Sequence, residues 1–542
     1  MNKKKGVKIV LTSSEIEMSD FKNNPLLAFM GGFPYRFPIW TNRNLFWPQL
    51  EDNNDDTARY APYGLRKVEG ALIEYGFKRD EIAVVQYHNL NKFVGSNTKI
   101  IAISSMDPLG LAYVSQTYSA FLGFGEIPGT LHSFQKLLAH KVFKKNPQIK
   151  IIVGGAGSWQ LGKKARDHLG IDHVILGEVD IEIGKIFNSI INEDNLPEVI
   201  KVRKQPKINE LATVCEPSVH GVVEISRGCG RNCQFCSPTM RRKRDVPIQK
   251  IVKEIKSNVK YGGHGIITFA TEDLFLYKCN NPKFYPNSLA VIELLEKVAS
   301  IPDVKIIQPA HISLAPVVAD PELVQEAAHI LIDHCRYSYH GKPVITAETG
   351  IETGSVRLVK KYMRGKPLPF KPEQWPEIVE QSLGILNDNQ WTPAATLLVG
   401  LPEENEDDAL RNLELLDDIF KFKMFLIPLL FINLQDCILN KEKRAIFDNL
   451  NETQLEFFLR SWEHNLYIYK KDWLDSDENN QFSNFALRMA AKFIFGAGYL
   501  LYYGWRNNSI FKMRQELLKE VIDLKPIDFI RKEIRDLKSK IK

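Results

Sequence analysis

The chain of 542 residues has little cysteine, only seven in all. An odd, sparse count speaks against a secreted disulfide scaffold and for a reducing compartment. Net charge is also scarce. Against 65 acidic residues stand 71 basic ones, leaving +6, too slight an excess at this length to imply a polyanionic partner. Long apolar runs are missing. The stretch from Val7 to Leu11 is shorter than the ~7–15 residues of a signal-peptide core. The longest run, FIFGAGYLLYYGW (493–505), is broken by Gly496, Gly498 and Gly504 and falls short of the ~18–20 residues of a spanning helix. The expectation is a soluble, cytoplasmic protein with no transmembrane segment, in which 493–505 is a buried helix. There is no repeat of fixed period and no low-complexity tract. With 44% hydrophobic and 25% charged residues, disordered and collagen-like classes are excluded.

What the chain does have is alternation. Between residue 7 and about 195, apolar β-branched segments VKIVLT (7–12), IAVVQY (82–87), KIIAISS (99–105), KIIVGGA (150–156) and HVILGE (173–178) alternate with helical patterns such as 131–143. Continuous apolar strands separated by helices indicate a parallel sheet covered on both faces. Ligands of such sheets bind at the carboxyl ends of the strands. Here those ends read Ser104-Ser105-Met106, Gly154-Gly155-Ala156-Gly157 and Gly177-Glu178. A second block, from about 219 to 435, contains HGVVEIS (220–226), GIITFA (265–270), KIIQPA (305–310), VITAETG (344–350), ATLLVG (395–400) and MFLIPLLFI (424–432). Helical stretches at 248–261 and 290–299 separate the strands, so an open or partial barrel is expected. Residues 201–217 read as a linker. Past 440 the pattern is helical, and 525–542 reads as an amphipathic helix with a solvated basic face.

The chemistry concentrates in Gly228-Cys229-Gly230-Arg231-Asn232-Cys233-Gln234-Phe235-Cys236, directly after a strand. Three thiols spaced CxxxCxxC can turn toward one centre from a single loop. Soft thiolates favour iron–sulfur clusters or zinc. Closed zinc sites use four protein ligands, commonly in two separated pairs. Three on one loop leave a cubane iron open for another ligand. The blander readings are an incomplete zinc knuckle or three structural thiols. The basic run Arg241-Arg242-Lys243-Arg244 that follows reads as a cationic lip or a solvated turn rather than a nucleic-acid patch.

This loop, with Phe235 at its aromatic position, resembles that of the radical S-adenosylmethionine (SAM) superfamily. The resemblance implies a [4Fe–4S] cluster on Cys229, Cys233 and Cys236, with an open iron that chelates SAM and splits it to a 5′-deoxyadenosyl radical. Three further segments match in order. ITFATEDLF (267–275) places Glu272, the first choice, and Asp273 at the acidic position contacting the SAM amino group. TGIETGSVRLVKKYMRGK (349–366) places Glu352, Thr353, Gly354 and Ser355 along the SAM pocket. LLVGLPEENEDD (397–408) resembles Gly-Leu-Pro-Gly-Glu-Thr, bringing Val399–Pro402, with Gly400, near adenine; Glu403 and Asn405 depart at Gly and Thr.

The first block resembles the cobalamin-binding domain of one radical SAM subgroup. IIVGGAGSW (151–159), GIDHVILGEVDIEIGKIF (170–187) and IIAISSMD (100–107) carry the likeness, which implies that Ser104, Gly154, Gly155, Gly177 and Glu178 contact cobalamin. Asp180 stands where the motif has a second Glu. The cobalt-ligating His of Asp-x-His-x-x-Gly has no counterpart in LTSSEIEMSD (11–20); His88 and His132 are read as satisfied or exposed imidazoles. A methylthiotransferase needs three N-terminal Cys for a second cluster, and none precedes Cys215. The scattered Cys215, Cys279, Cys335 and Cys437 read as structural thiols.

The expected fold is α/β. A Rossmann-like parallel sheet of the B12-binding type spans 1–205, a radical SAM core as a partial (β/α)6 TIM barrel spans 206–440, and a helical C-terminal domain spans 441–542. The expected activity is that of a radical SAM enzyme, a cobalamin-dependent methyltransferase acting on an unactivated carbon. One cluster, SAM and cobalamin are its cofactors, an external one-electron reductant serves it, and the substrate is a small molecule, lipid or peptide. The rivals are a non-methylating radical cyclisation, coupling or rearrangement, and a non-catalytic Fe–S or nucleic-acid-associated protein.

Overall fold

The computed structural model describes residues 5–35, 47–121 and 127–475. The stretches 493–505 and 525–542 lie outside them.

The apolar runs of the first block form β1 (Ile9–Thr12), β2 (Ile82–Val84), β3 (Ile100–Ser104), β4 (Lys150–Gly154) and β5 (His173–Leu176). A sixth strand, β6 (Val199–Lys201), pairs with β5. The order is β2-β1-β3-β4-β5-β6, parallel throughout. Alternate side chains face opposite ways in a strand, and both faces are covered. Ile9, Leu11, Ile100 and Ala102 pack against Leu65, Leu72 and Phe187 on one side. Val10, Ile101 and Ile103 pack against Phe93, Phe134 and Leu137 on the other. Three expectations are corrected here. The linker opens on β6, and Leu211, Ala212 and Val214 within it are at most 2% exposed, so it is packed down rather than loose. The 131–143 helix is two, Gly129–Leu138 and Lys141–Lys145, because the His140 ring accepts the Val142 N–H and starts a new N-terminus. The 248–261 helix runs over Ile248–Ser257 and widens into a π turn at Asn258–Gly262.

In the second block, β7 (Val222–Glu224) is followed by a two-residue strand, β8 (Ser226–Arg227), paired antiparallel with β9 (Arg244–Asp245). Next come β10 (Ile266–Ala270) and β11 (Ile306–Pro309). A hairpin, β12 (Tyr337–Tyr339) with β13 (Lys342–Val344), precedes β14 (Glu348–Glu352), β15 (Ala394–Val399) and β16 (Phe425–Leu430). The expected strand at 344–350 therefore starts later, because the hairpin takes its first residue. Two parallel three-stranded sheets result, β7-β10-β11 and β14-β15-β16. An isolated parallel bridge between His311 and Glu348 joins them, with the Glu348 N–H on Ala310 O at 2.7 Å and the Ile312 N–H on Glu348 O at 2.9 Å. The six strands thus run as one partial barrel series.

An open barrel leaves an edge, and unpaired edge groups invite association. At β16, side chains from two helices cover it. From the helix Tyr113–Phe121, Thr117 Oγ1 accepts the Leu430 N–H at 2.9 Å and the Tyr118 hydroxyl donates to Pro428 O at 3.2 Å. From the helix Glu452–Asp475, Asn465 accepts the Leu426 N–H at 2.7 Å and donates to Leu426 O at 2.6 Å. Asn465 is fully buried, so its amide stands in for a seventh strand. Asn465→Ala leaves both Leu426 groups unpaired and is expected to cost about 2–4 kcal/mol, read by urea denaturation. No helix among the described residues is long and apolar enough to cross a membrane.

Candidate functional site

The β8–β9 ladder closes the loop 228–243, which carries the three thiols. Its path rests on left-handed residues at alternate positions: Gly228 at φ +80°, Gly230 at +84° and Asn232 at +60°. At Gly228 a Cβ would stand 2.6 Å from Arg241 O, so a side chain has no room there. The Gln234 N–H donates to Tyr362 O at 2.8 Å, and Gln234 O accepts the Leu439 N–H at 3.1 Å. These bonds lash the loop to the end of the helix Val356–Tyr362 and to the chain beyond β16. Phe235 is 7% exposed and packs into the barrel core, which is why an aromatic occupies this position. Its carbonyl accepts the Tyr113 hydroxyl at 3.3 Å, a contact from the first block.

Cys229, Cys233 and Cys236 are partly buried and form no disulfide. Burial raises the Cys229 pKa against the pull of Arg231, and pushes Cys233 up to about 11 against Lys366. A metal takes thiolates, so loading this loop releases protons. No three His, Cys, Asp or Glu among the described residues converge as ligands of a single ion. A cubane asks for something else, since each thiolate binds a different iron. Three soft donors on one loop, beside a buried guanidinium with unpartnered nitrogens, fit such a cluster.

After β10 the two candidate carboxylates diverge. Asp273 is 4% exposed, and its Oδ1 accepts the N–H groups of Phe275 and Ser313, both at 3.2 Å. Glu272 is partly buried, receives no hydrogen bond from the described residues, and has its pKa raised by burial. Glu272 is thus the available one. Beside it stands a pair absent from the sequence analysis: His311 Nε2 lies 3.0 Å from Glu348 Oε2 at the barrel seam. Burial pulls the imidazole down, yet Glu348 prevails and holds its pKa at about 9. No local signal marks the pair, because Glu348 opens β14 and His311 lies just past the end of β11.

Glu352 is 7% exposed in a left-handed conformation, φ +67°, where β14 slips register against β15. It faces Lys366 Nζ at 3.2 Å and accepts the Thr396 hydroxyl at 3.3 Å. Gly350 makes room for it, since a Cβ there would lie 2.0 Å from Glu352 Oε1. Thr353 donates to Asn412 at 2.7 Å, while Ser355 donates to Asp408 at 2.5 Å and caps the helix Val356–Tyr362 by accepting the Leu358 N–H. Both hydroxyls are tied into the turn itself. Gly400, at φ +78°, donates its N–H to Glu404 at 2.7 Å. The two departures have local reasons. Glu403 is itself left-handed, at φ +56°, in the slot where the motif has Gly. Asn405 caps the helix Glu406–Ile419 by accepting the Asp408 N–H at 3.0 Å.

Glu404 supplies a pH-dependent prediction. Burial raises its pKa from 4.5 to about 7, against the N–H groups of Leu401 and Gly400. Below pH 4.5 folded and unfolded chains both hold the proton. Between 4.5 and 7 the unfolded chain ionises first and draws the equilibrium toward unfolding; above 7 the penalty is complete. Glu404→Gln keeps an acceptor for both N–H groups and removes the titration. It is expected to gain on the order of 1–2 kcal/mol at pH 8 relative to wild type, and nothing at pH 4.5, by denaturant midpoint.

At the carboxyl edge of the first sheet, Ser104 O accepts the Ser13 hydroxyl at 2.6 Å. Glu17 accepts Ser13 Oγ at 2.6 Å, Ser105 Oγ at 2.8 Å and the Met106 N–H at 2.8 Å. Gly155, at φ +98°, has Ser105 O 2.6 Å from where a Cβ would stand, and Gly177, at φ +111°, has Val202 O at 2.2 Å. Gly154 is open by comparison, its nearest neighbour being Ile175 O at 4.0 Å. Glu178 is held by three charge-assisted bonds, 2.8 and 2.9 Å from Arg244 and 2.8 Å from Arg227. Arg227 also binds Asp180 at 2.9 Å and Glu224 at 2.6 and 2.8 Å. Of the basic run, Arg244 therefore faces inward, and Lys243 pairs with Asp245 at 2.6 Å.

Residues 223–416 match the Radical SAM superfamily model. Curated relatives include the tRNA-2-methylthio-N(6)-dimethylallyladenosine synthases of Thermodesulfovibrio yellowstonii, 25% identical over 52% of this chain and 60% of that protein, and of Endomicrobium trichonymphae, 29% identical over 31% and 38%. The chain thus spans 60% or less of the length of these two relatives. Among solved structures, the radical S-adenosylmethionine methyltransferase TsrM from Kitasatospora setae, with cobalamin and a [4Fe–4S] cluster bound, shares the fold at a TM-score of 0.54 and 11% identity, over 95% of this chain and 99% of that one. The chain contains a radical SAM domain, and with it the [4Fe–4S] cluster and SAM that such a domain implies.

Proposed function

We propose that the protein is a cobalamin-dependent radical SAM methyltransferase acting on an unactivated carbon. Residues 1–205 carry cobalamin, 206–440 perform the radical chemistry and 441–542 cover the substrate. One observation carries this reading. The carboxyl end of the first sheet meets the thiol loop, since Arg227, next to that loop, reaches Glu178 and Asp180 past the end of β5. A carrier held at that edge would stand next to the thiol loop. The shared fold with TsrM, whose structure contains both groups, supports the reading. The absence of any Cys before Cys215 favours methyl transfer over the methylthio transfer of the curated relatives.

When bound, the cluster supplies the electron that splits SAM. The chain's own residues bind and aim. The thiolates of Cys229, Cys233 and Cys236 hold the cluster, Glu272 takes the SAM ammonium, and Glu352 with Lys366 closes the pocket wall. Gly154 leaves the backbone open for a broad planar group, and the packed barrel excludes water.

The test is anaerobic reconstitution with hydroxocobalamin, SAM and dithionite. Bound cobalamin seen by absorbance, together with 5′-deoxyadenosine seen by mass spectrometry, is the expected result. 5′-Deoxyadenosine without bound cobalamin transfers the assignment to non-methylating radical chemistry. Neither product overturns the radical SAM reading altogether.

A further inference from the structure

Arg231 lies inside the thiol loop and is 3% exposed. One nitrogen, Nη1, is committed: it donates to the carbonyls of Gly365 at 3.0 Å, Lys366 at 2.8 Å and Leu368 at 3.2 Å. Gly365 is obligatory for this contact, since a Cβ there would stand 2.0 Å from Arg231 O. The plane of the guanidinium rests on Phe284, 4.9 Å from the ring centre. Its other two nitrogens, Nε and Nη2, are buried and have no hydrogen-bond partner among the described residues. Across from them, Asp273 Oδ2 is also buried and unpartnered, 3.7 Å from Nη2. A buried guanidinium with two idle donors is costly unless something else uses its charge. In the loop, Arg231 stands two residues after Cys229 and two before Cys233, so its anchored charge belongs to the same turn of chain as both thiols.

We propose that Arg231 is a positioning residue that sets the electron affinity of the cluster, with Asp273 as its partial counterweight. The inference rests on the radical SAM reading of the loop. A fixed cation beside thiolate ligands stabilises the reduced, more negative cluster and raises its reduction potential; hydrogen bonds toward the sulfurs act the same way. The carbonyl anchors on Nη1 keep the charge from swinging out to water. Asp273 is held by two backbone N–H groups on its other oxygen, which fixes it where it pairs with the cation by charge, at 3.7 Å, without a hydrogen bond.

The experiment is a redox titration of the reconstituted cluster, without SAM, followed by EPR of the reduced state. Arg231→Gln keeps donors and removes charge; Asp273→Asn keeps shape and removes the opposite charge. Arg231→Gln is expected to give at least tenfold less reduced cluster at a fixed poise, about 59 mV for a one-electron couple. Asp273→Asn is expected to move the midpoint upward. A midpoint unmoved in Arg231→Gln, or shifted the same way in both variants, overturns the inference. A purely structural role would lower cluster occupancy in either variant without opposite shifts. If Arg231→Gln holds no cluster, Asp273→Asn decides: a rise supports the inference and no rise overturns it. Should wild type itself assemble no cluster, as read by iron and sulfide content, the radical SAM reading fails rather than this one.

Discussion

Replacing any one of Cys229, Cys233 or Cys236 with Ala is expected to reduce 5′-deoxyadenosine formation from SAM by at least about a thousandfold, to the level without enzyme. A cubane with three protein ligands keeps one iron for SAM, and with two it has no fixed open iron and no defined seat. The loop adds nothing to replace a missing thiolate, because its other polar groups hold its own path and neighbouring carbonyls. The controls are Cys215→Ala, Cys279→Ala and Cys335→Ala, which should leave cluster absorbance unchanged. Cys437 is the sharper control. It is 2% exposed, its thiol donates to Leu434 O at 3.0 Å, and it sits on the segment that Gln234 fastens to the loop. An absorbance loss in Cys437→Ala equal to that in Cys233→Ala would mean that a fourth thiol serves the cluster.

Arg227→Met is expected to destabilise the protein by about 3–5 kcal/mol at pH 7, the usual cost of removing one partner from a buried ionic cluster. The side chains of Glu178, Asp180 and Glu224 are at most 10% exposed around this single guanidinium. Burial works to raise the carboxyl pKa values of Glu178 and Asp180, but the arginines outweigh it and hold both below their usual range. In wild type their contribution is present above the ordinary carboxylate pKa and lost as the pH falls through the depressed values. In Arg227→Met the direction reverses for Asp180, whose close cation is gone. The deficit should shrink as the pH is lowered from 7 toward 5 and the carboxylates take up protons. Denaturant midpoints at the two pH values measure this. A loss of under about 1 kcal/mol at pH 7 would show that water replaces the guanidinium and that the seam is wetter than its burial indicates.

The contacts of Arg227 show why some features were legible in the sequence and others were not. The thiol loop announces itself because a CxxxCxxC spacing with an aromatic is complete within one turn of chain. The strands were legible for a similar reason, since a sheet covered on both faces needs short, continuous apolar runs. Glu178 is marked by a local motif, whereas the residues that engage its oxygens, Arg227 and Arg244, lie far along the chain. Thr353 and Ser355 likewise sit in the expected segment, and their hydroxyls answer to Asn412 and Asp408 on another helix. β6 was missed because three residues give too little periodicity to separate a strand from a linker.

Glu403 shows the converse. Its departure from glycine was visible in the sequence, and only the backbone angle revealed that the slot is left-handed and tolerates a non-glycine at some strain.

By itself the sequence determined the two β/α blocks and the order of the barrel strands, and it singled out the three thiols proposed to hold the cluster, because each is written in neighbouring residues. The tertiary structure alone decided which polar groups remain available. Among the described residues, it left Glu272 without a hydrogen bond while building Asp273 into the turn, paired His311 with Glu348, capped β16 with Asn465 and tied the edge of the first sheet to the barrel through Arg227. Charges and hydrogen bonds act over a few ångströms in space, and the folded chain brings together groups that sequence spacing holds apart.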